Sequence, residues 1–371
     1  MFRVQHKFLA LLISSILPCG HVAFARETDQ FTTPSTPLHD IGPELSRKVV
    51  EIILSDRTGD DPERVLSKWV GHNFFASRLV RWMKVLQVPE RPMSFRPSVF
   101  ASIYRLALSP LPASFLFDAP TVRVHGYYLG TDKIDHFFQQ GYRYFELAMN
   151  YEEDGAIAPE AIATVVAHGV EQEHKYYGTA ASGVYSNGDL AANYAGMKFY
   201  LNLRHPVRIG ERMLPPLFER SREGWRLRPG INPDRVLEPF FSNHLDESLN
   251  PSRYRFSRGS IRSVVRNRCG TWVEFYAERL DLVAPSGHSF ATKWFGEEYG
   301  HWLPPTDEIS IATECGADAS RPSKRSLVGT FSAYVPHVPP AALAPVISIR
   351  PSQPGPRGKC PICPFRVTYG R

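Results

Sequence analysis

Beyond its first twenty-five residues the chain has no stretch approaching the ~18 consecutive apolar residues of a membrane-crossing helix, so a soluble, exported chain is expected. Glycine-rich phosphate loops are missing, as are the G-x-S-x-G elbow and the H-E-x-x-H zinc signature. These absences argue against a nucleotide-dependent enzyme, an elbow-type serine hydrolase and a zincin; "GHSFATKW" offers only a lone serine beside His288. Neither sign of charge dominates, with 43 Lys and Arg against 37 Asp and Glu, a net +6. So mild and scattered an excess is not the basic footprint of a nucleic-acid binder. No internal repeat points to a solenoid. Cysteine is scarce too, five in 371 residues.

What is present begins with a leader. "MFRVQHKFLALLISSILPCGHVAFARE" carries Arg3 and Lys7, an apolar run from Phe8 to Leu17, and Ala23-Phe24-Ala25. That is the layout of a secretory signal peptide, residues 1–25, cut after Ala25. The predicted product is exported, periplasmic or secreted, with no membrane span of its own. It keeps roughly 345 residues, enough for a sizeable core. Losing Arg3 and Lys7 takes the net charge from +6 to +4. Cys19 leaves with the leader; Cys269, Cys315, Cys360 and Cys363 stay. In an oxidising compartment four cysteines support up to two disulfides in three connectivities, and Cys269–Cys315 is the pairing expected to staple the C-terminal part. The tail motif "CPIC" follows no strand and opens no helix, so it reads as an ordinary disulfide or a free pair. No further zinc ligand sits beside it.

The predicted fold class is mainly α (α+β): a multi-helix globular core with a minor β-hairpin or small sheet in the C-terminal half. Residues 26–40 are polar and Pro/Thr-rich and read as a flexible lead-in. A helical globular domain is expected over 41–318. Within it, "DDPERVLSKWVGHNFFASRLVRWMKVLQV" opens on an Asp–Pro signature and carries Phe75, Leu79, Trp82, Met83 and Leu86 at helical spacing. "RPSVFASIYRLALSP" reads as another short helix. Central helices follow at about 131–151, 159–177 and 187–203. From 204 to 318 frequent prolines break the chain, while "TWVEFYAERLDLV" and "SLVGTFSAYV" alternate like strands. Residues 319–371 contain no acid and form a basic, Pro-rich tail expected to be partly disordered.

The central helices hold the polar residues of interest. On the first, Ile134, Phe137, Phe138, Gly141, Phe145 and Ala148 share an apolar stripe. Asp132, His136, Gln139, Arg143 and Asn150 take the opposite face, which is either solvated or a pocket wall with Asp132 orienting His136. Lys133 and Asp135 read as ordinary first-turn charges. On the second helix Glu173 continues the inward line Ile162, Val165, Val166, Gly169; a buried carboxylate there needs a partner or a function. Glu171 and His174 form an E-x-x-H pair, but a di-iron bundle needs two such pairs and only one is evident. The third helix is apolar nearly all round and hence central, with Ala191, Ala192, Ala195 and Gly196 permitting close helix approach. Ser186 and Asp189 resemble a capping box, the structural alternative for Asp189. Asn193 has no such alternative and must satisfy its amide elsewhere.

"DKIDHFFQQGY" and "VYSNGDLAANYAGMKFY" resemble a pattern in uncharacterised bacterial exported proteins, D-K-x-x-H-F followed by S-x-x-D-L-x-A-N. The first string is also similar to one in VanZ-like and YfiM-like envelope proteins; the VanZ-like ones span the membrane several times, so no fold transfers with it. The resemblance covers about residues 131–200 and implies weight on Asp132, Lys133, His136, Ser186, Asp189 and Asn193, without an established reaction. "FFSNHLDESLNPSRY" (240–254) resembles a further shared block.

Two functions are therefore expected. One is a cell-envelope hydrolase acting on a glycan or related substrate, with Glu173, Asp189 and His136 catalytic and Asn193, Asp132, Tyr177 and Tyr194 binding substrate. A version with a divalent metal draws its ligands from Asp132, His136, Glu173, His174 and Asp189. The other is a non-catalytic periplasmic scaffold or binding protein whose Asp, His and Asn pairs lock helices together. The sequence leaves the oligomeric state open.

Overall fold

The computed structural model of the protein describes residues 27–71, 76–86, 91–98, 100–105, 119–153, 156–179, 182–275 and 308–315. The expected signal peptide, residues 1–25, the C-terminal tail with its CPIC motif, and the segment "SLVGTFSAYV" lie outside them. The fold is mainly α, and the strands of the described residues form only two-stranded antiparallel pairs. No helix among them is long and apolar enough to cross a membrane.

Helix α1 (Gly42–Ser55) places Leu45, Val49, Ile52 and Ile53 on one buried face. The stretch read as one helical signal after Asp61 is two helices, α2 (Pro62–Val70) and α3 (Arg78–Val85). Gly71, at φ 70°, ends the first, and Ser77 caps the second by accepting from Val80 N–H at 3.1 Å. Among the described residues of the short helix expected near residue 100, Ile103–Arg105 form a 3₁₀ turn. The hairpin of β1 (Thr121–Val124) and β2 (Tyr127–Gly130) precedes the central helices, so strand structure is not confined to the C-terminal half.

Each of the first two central helices contains a π turn. Helix α4 (Thr131–Asp135) runs through the π turn His136–Gln140 into α5 (Gly141–Met149). After the short pair β3 (Glu152–Glu153) and β4 (Ala156–Ile157), helix α6 (Pro159–Gln172) runs into the π turn Glu173–Tyr177. A π turn holds one residue more than an α turn and is a frequent mark of functional sites. Here the two turns open on His136 and Glu173. Then β5 (Val184–Ser186) feeds α7 (Asn187–Arg204), buried from Gly188 to Leu203 except at Lys198. An all-round apolar sequence has become the central element, as the expectation had it.

The small residues act as foreseen. A Cβ added at Gly196 would lie 2.0 Å from the Phe137 carbonyl oxygen, and one at Gly141 would lie 2.6 Å from the Gly196 Cα. Helices α5 and α7 thus meet backbone to backbone. Gly196→Ala is expected to cost about 2–3 kcal/mol in urea denaturation, because backbone cannot yield as a side chain does. An unchanged midpoint would refute the close contact.

Hairpins β6–β7 (Val207–Ile209, Arg212–Leu214) and β8–β9 (Phe218–Ser221, Gly224–Leu227) follow. Strand β10 (Ser252–Tyr254) returns to pair with β5. Helices α8 (Arg258–Asn267), α9 (Cys269–Phe275) and α10 (Ile311–Cys315) complete the described chain. Thr271–Phe275, read as the start of a strand, is helical, because α9 continues directly from α8 and buries Trp272. Cys269 and Cys315 are joined in a disulfide with Cα atoms 5.7 Å apart, the pairing expected. Glu27 to Phe31 are buried, so the lead-in begins as an anchored segment. Thr28 Oγ1 donates to Asp132 Oδ1 at 2.6 Å, and Gln30 Nε2 to the Tyr128 carbonyl at 3.0 Å.

Candidate functional site

Lys133, read as an ordinary first-turn charge, is fully buried at the first turn of α4. Its Nζ donates to Asp132 Oδ2 at 2.8 Å and to Glu247 Oε1. It also stands 2.6 Å from Asp189 Oδ1, an ion pair without hydrogen-bond alignment. The first turn is buried from Thr131 to Ile134, with Thr28 bonded to Asp132 and Glu247 to Lys133, so this turn is not wet. Removing an ammonium from water is costly, and here the surrounding acids offset that cost. Burial alone would lower the Lys133 pKa; the charges of Asp132, Asp189, Glu247 and Glu27 overcome it and hold the pKa well above its usual value.

Asp189 reaches this cluster because its capping box is only half built. Ser186 Oγ accepts from Asp189 N–H at 3.1 Å, as a cap should. The return bond to Ser186 N–H comes instead from Glu173 Oε1, at 3.1 Å. Released from capping, the Asp189 carboxylate puts Oδ1 on Lys133 and Oδ2 3.5 Å from His136 Nε2. The other imidazole nitrogen, Nδ1, is 3.0 Å from Asn193 Oδ1, and Asn193 Nδ2 is 3.4 Å from the Tyr144 hydroxyl. Asp132, expected to orient His136, turns to Lys133 and Thr28; Asp189 fills that role from another helix. Asp135 is a link between helices, accepting from Ser77 N–H at 2.9 Å.

The network ends at an open cleft of about 540 Å³ between α5, α6 and α7. His136, Asn193, Tyr144, Glu173, Gln140 and Gln172 are among its lining residues. Glu173, only 2 % exposed, is the inward carboxylate that the helical spacing indicated. Burial, then the charge of Asp189, push its pKa well above the usual carboxylate range, so it tends to carry a proton. Ser186 N–H holds Oε1, and no described residue bonds Oε2.

His136, Glu173, Asp189 and Asn193 are therefore brought together, with Asp132 one ion pair away. His174 and Tyr194 are not. His174 is exposed, its ring 4.5 Å from that of Tyr185, and is no co-ligand of Asp132. Tyr194 is fully buried in the core and does not line the cleft; Lys198 Nζ lies 5.4 Å from its ring centroid. The side chain of Tyr177 lies outside the described ones. A single metal held by Asp132, His136, Glu173, His174 and Asp189 together does not fit this placement.

Three participants escaped the sequence reading. Glu247 is fully buried, accepting from Lys133, from Ser186 Oγ at 3.0 Å and from the Tyr104 hydroxyl at 2.5 Å. Tyr104 keeps its proton, since burial and then Glu247 raise its pKa. Glu27 brings a further buried carboxylate from the N-terminal segment. The "FFSNHLDESLNPSRY" block contains Glu247 and was the one signal for it; Glu27 and Tyr104 had none. No family model, curated protein or solved structure matches the chain.

Proposed function

We propose that the chain is an exported hydrolase acting on a polar polymer of the cell envelope, a glycan above all, with Glu173 as general acid and His136 as base. One observation carries this: a buried carboxyl that favours its proton and an imidazole held from behind open onto one cleft. Gln140, Gln172, Asn150 and Asn193 line that cleft, and such amides suit a substrate recognised by hydroxyl groups. In the step, Glu173 gives its proton to the leaving oxygen as the scissile bond breaks. The attacking water bonds to the carbon that the leaving oxygen departs from and gives a proton to His136 Nε2, while Asn193 Oδ1 accepts from Nδ1–H and Asp189 faces the proton gained. Tyr144 supports Asn193. The leader and the Cys269–Cys315 disulfide support an exported, oxidising location. The residues shared with the envelope-protein pattern, Asp132, Lys133, His136, Ser186, Asp189 and Asn193, all belong to this one network, which supports reading it as the working part.

The test is fragment release from purified envelope glycan. Glu173→Gln and His136→Ala are each expected to lower turnover about 10²–10⁴-fold while the melting temperature is kept. A second reading, a glycan-binding protein, is favoured by the engagement of both His136 nitrogens with protein acceptors. It predicts saturable binding of the same glycan, with no release, in parent and Glu173→Gln alike. Neither release nor binding would sink both.

A further inference from the structure

The Lys133 cluster is not balanced. Glu27, Asp132, Asp189 and Glu247 surround one ammonium, and every one of them is at most 4 % exposed. Ionised, they leave three negative charges without an opposing group in a region closed to water. Three of the four, Glu27, Asp132 and Glu247, place carboxylate oxygens within 4.8 Å of one another. Asp132 and Glu247 also have protein partners, Thr28, Lys133, Ser186 and Tyr104. Glu27 has no hydrogen-bond partner among the described residues, and both of its side-chain oxygens are buried. A buried, unpartnered carboxylate directed at two others is costly unless something positive lies between them.

We propose that Glu27, Asp132 and Glu247 bind a hard divalent cation of calcium size, and that this ion fastens the N-terminal segment to the central helices. The donors are all oxygen, with no imidazole or thiolate, which selects calcium-like over zinc-like ions. Ligand distances of about 2.3–2.6 Å, as calcium takes, span oxygens up to roughly 5 Å apart, which matches this triad. A divalent ion removes two of the three excess charges. The set shares only Asp132 with the ligands suggested by the sequence. Glu27 comes from the segment that also bonds Asp132 through Thr28 and the Glu247 N–H through Gln30 Oε1, at 2.9 Å. Binding therefore couples to seating of that segment. The inference does not depend on the hydrolase reading, and its readouts involve no turnover.

Purified full-length mature protein, stripped with chelator, is titrated with calcium chloride by calorimetry and followed by thermal melting. One site per chain is expected, with a rise of several degrees in melting temperature that chelator reverses. Calcium should also slow proteolysis within the first ten residues of the mature chain. Glu27→Gln, which touches no partner and preserves shape, is expected to abolish all three responses, with a metal-free melting temperature equal to or above that of the parent. No calcium response in the parent, with Glu27→Gln simply more stable near pH 7, would show that a proton and not an ion resolves the cluster and would overturn the proposal. A response that survives in Glu27→Gln would overturn it as well.

Discussion

Lys133→Met is expected to destabilise the protein by about 3–5 kcal/mol, the range for removing one partner of a buried ion pair. Methionine fills nearly the same space, so the loss isolates charge from packing. Without the ammonium, Asp132, Asp189 and Glu247 face one another at 0–4 % exposure. Burial already raises the pKa values of Glu27 and Glu247. Acids whose folded pKa lies above the unfolded one favour the fold while protonated, and that contribution is lost as the pH rises through the folded value. The gap between variant and parent should therefore be widest near pH 8 and narrow toward pH 5. Urea denaturation at both pH values measures it. A loss below about 1 kcal/mol at pH 8 would mean that Lys133 does not hold the cluster.

Cutting the Cys269–Cys315 crosslink is expected to cost about 2–4 kcal/mol, the usual range for a native disulfide. The bridge spans 46 residues of sequence, and its removal frees that loop in the unfolded chain. What remains at α10 includes the buried Ile311, whose N–H bonds the Ser248 carbonyl at 2.7 Å, and the fork of Arg262 and Arg266 on Glu314, each with an N–O distance of 3.0 Å. Both arginines are substantially exposed, so each pair adds at most ~1 kcal/mol. Nearby, the Trp272 indole N–H is 3.3 Å from Ser248 Oγ, one residue from Glu247. Loosening α9 should thus reach the cluster. Melting a Cys269→Ser/Cys315→Ser double variant beside the parent checks this; equal melting temperatures would remove the bridge from the account of stability.

Helix existence and the core were legible because they rest on periodicity. Leu190, Tyr194, Met197 and Leu201 and the small residues around Gly196 declared a central helix, and α7 is that helix. Glu173 was legible for the same reason, as a charge on an apolar line. The site was only partly legible, since ion-pair partners have no local signature. Lys133 read as a first-turn charge, because the partners of that turn, Thr28, Asp189 and Glu247, lie far from it along the chain. The Asp189 role was hidden behind a capping pattern that Glu173, on another helix, completes in its place. A period of 3.6 residues also gives no warning of the π turns at His136 and Glu173. Glu27 fell in a stretch whose composition read as a linker, and composition does not register long-range contacts.

Those long-range contacts fix an order of events during synthesis. Gln30 is bonded to Glu247, 217 residues later, and Thr32 to Arg268, 236 residues later. At roughly 5–20 residues per second, the segment made first waits on the order of ten seconds or more before its partners exist. Until then the acids around Lys133 remain apart and hydrated. Closing so long a loop is a late and entropically slow step. The Lys133 cluster can therefore be completed only after residue 247 has been made, and the earliest part of the described chain must wait for that partner.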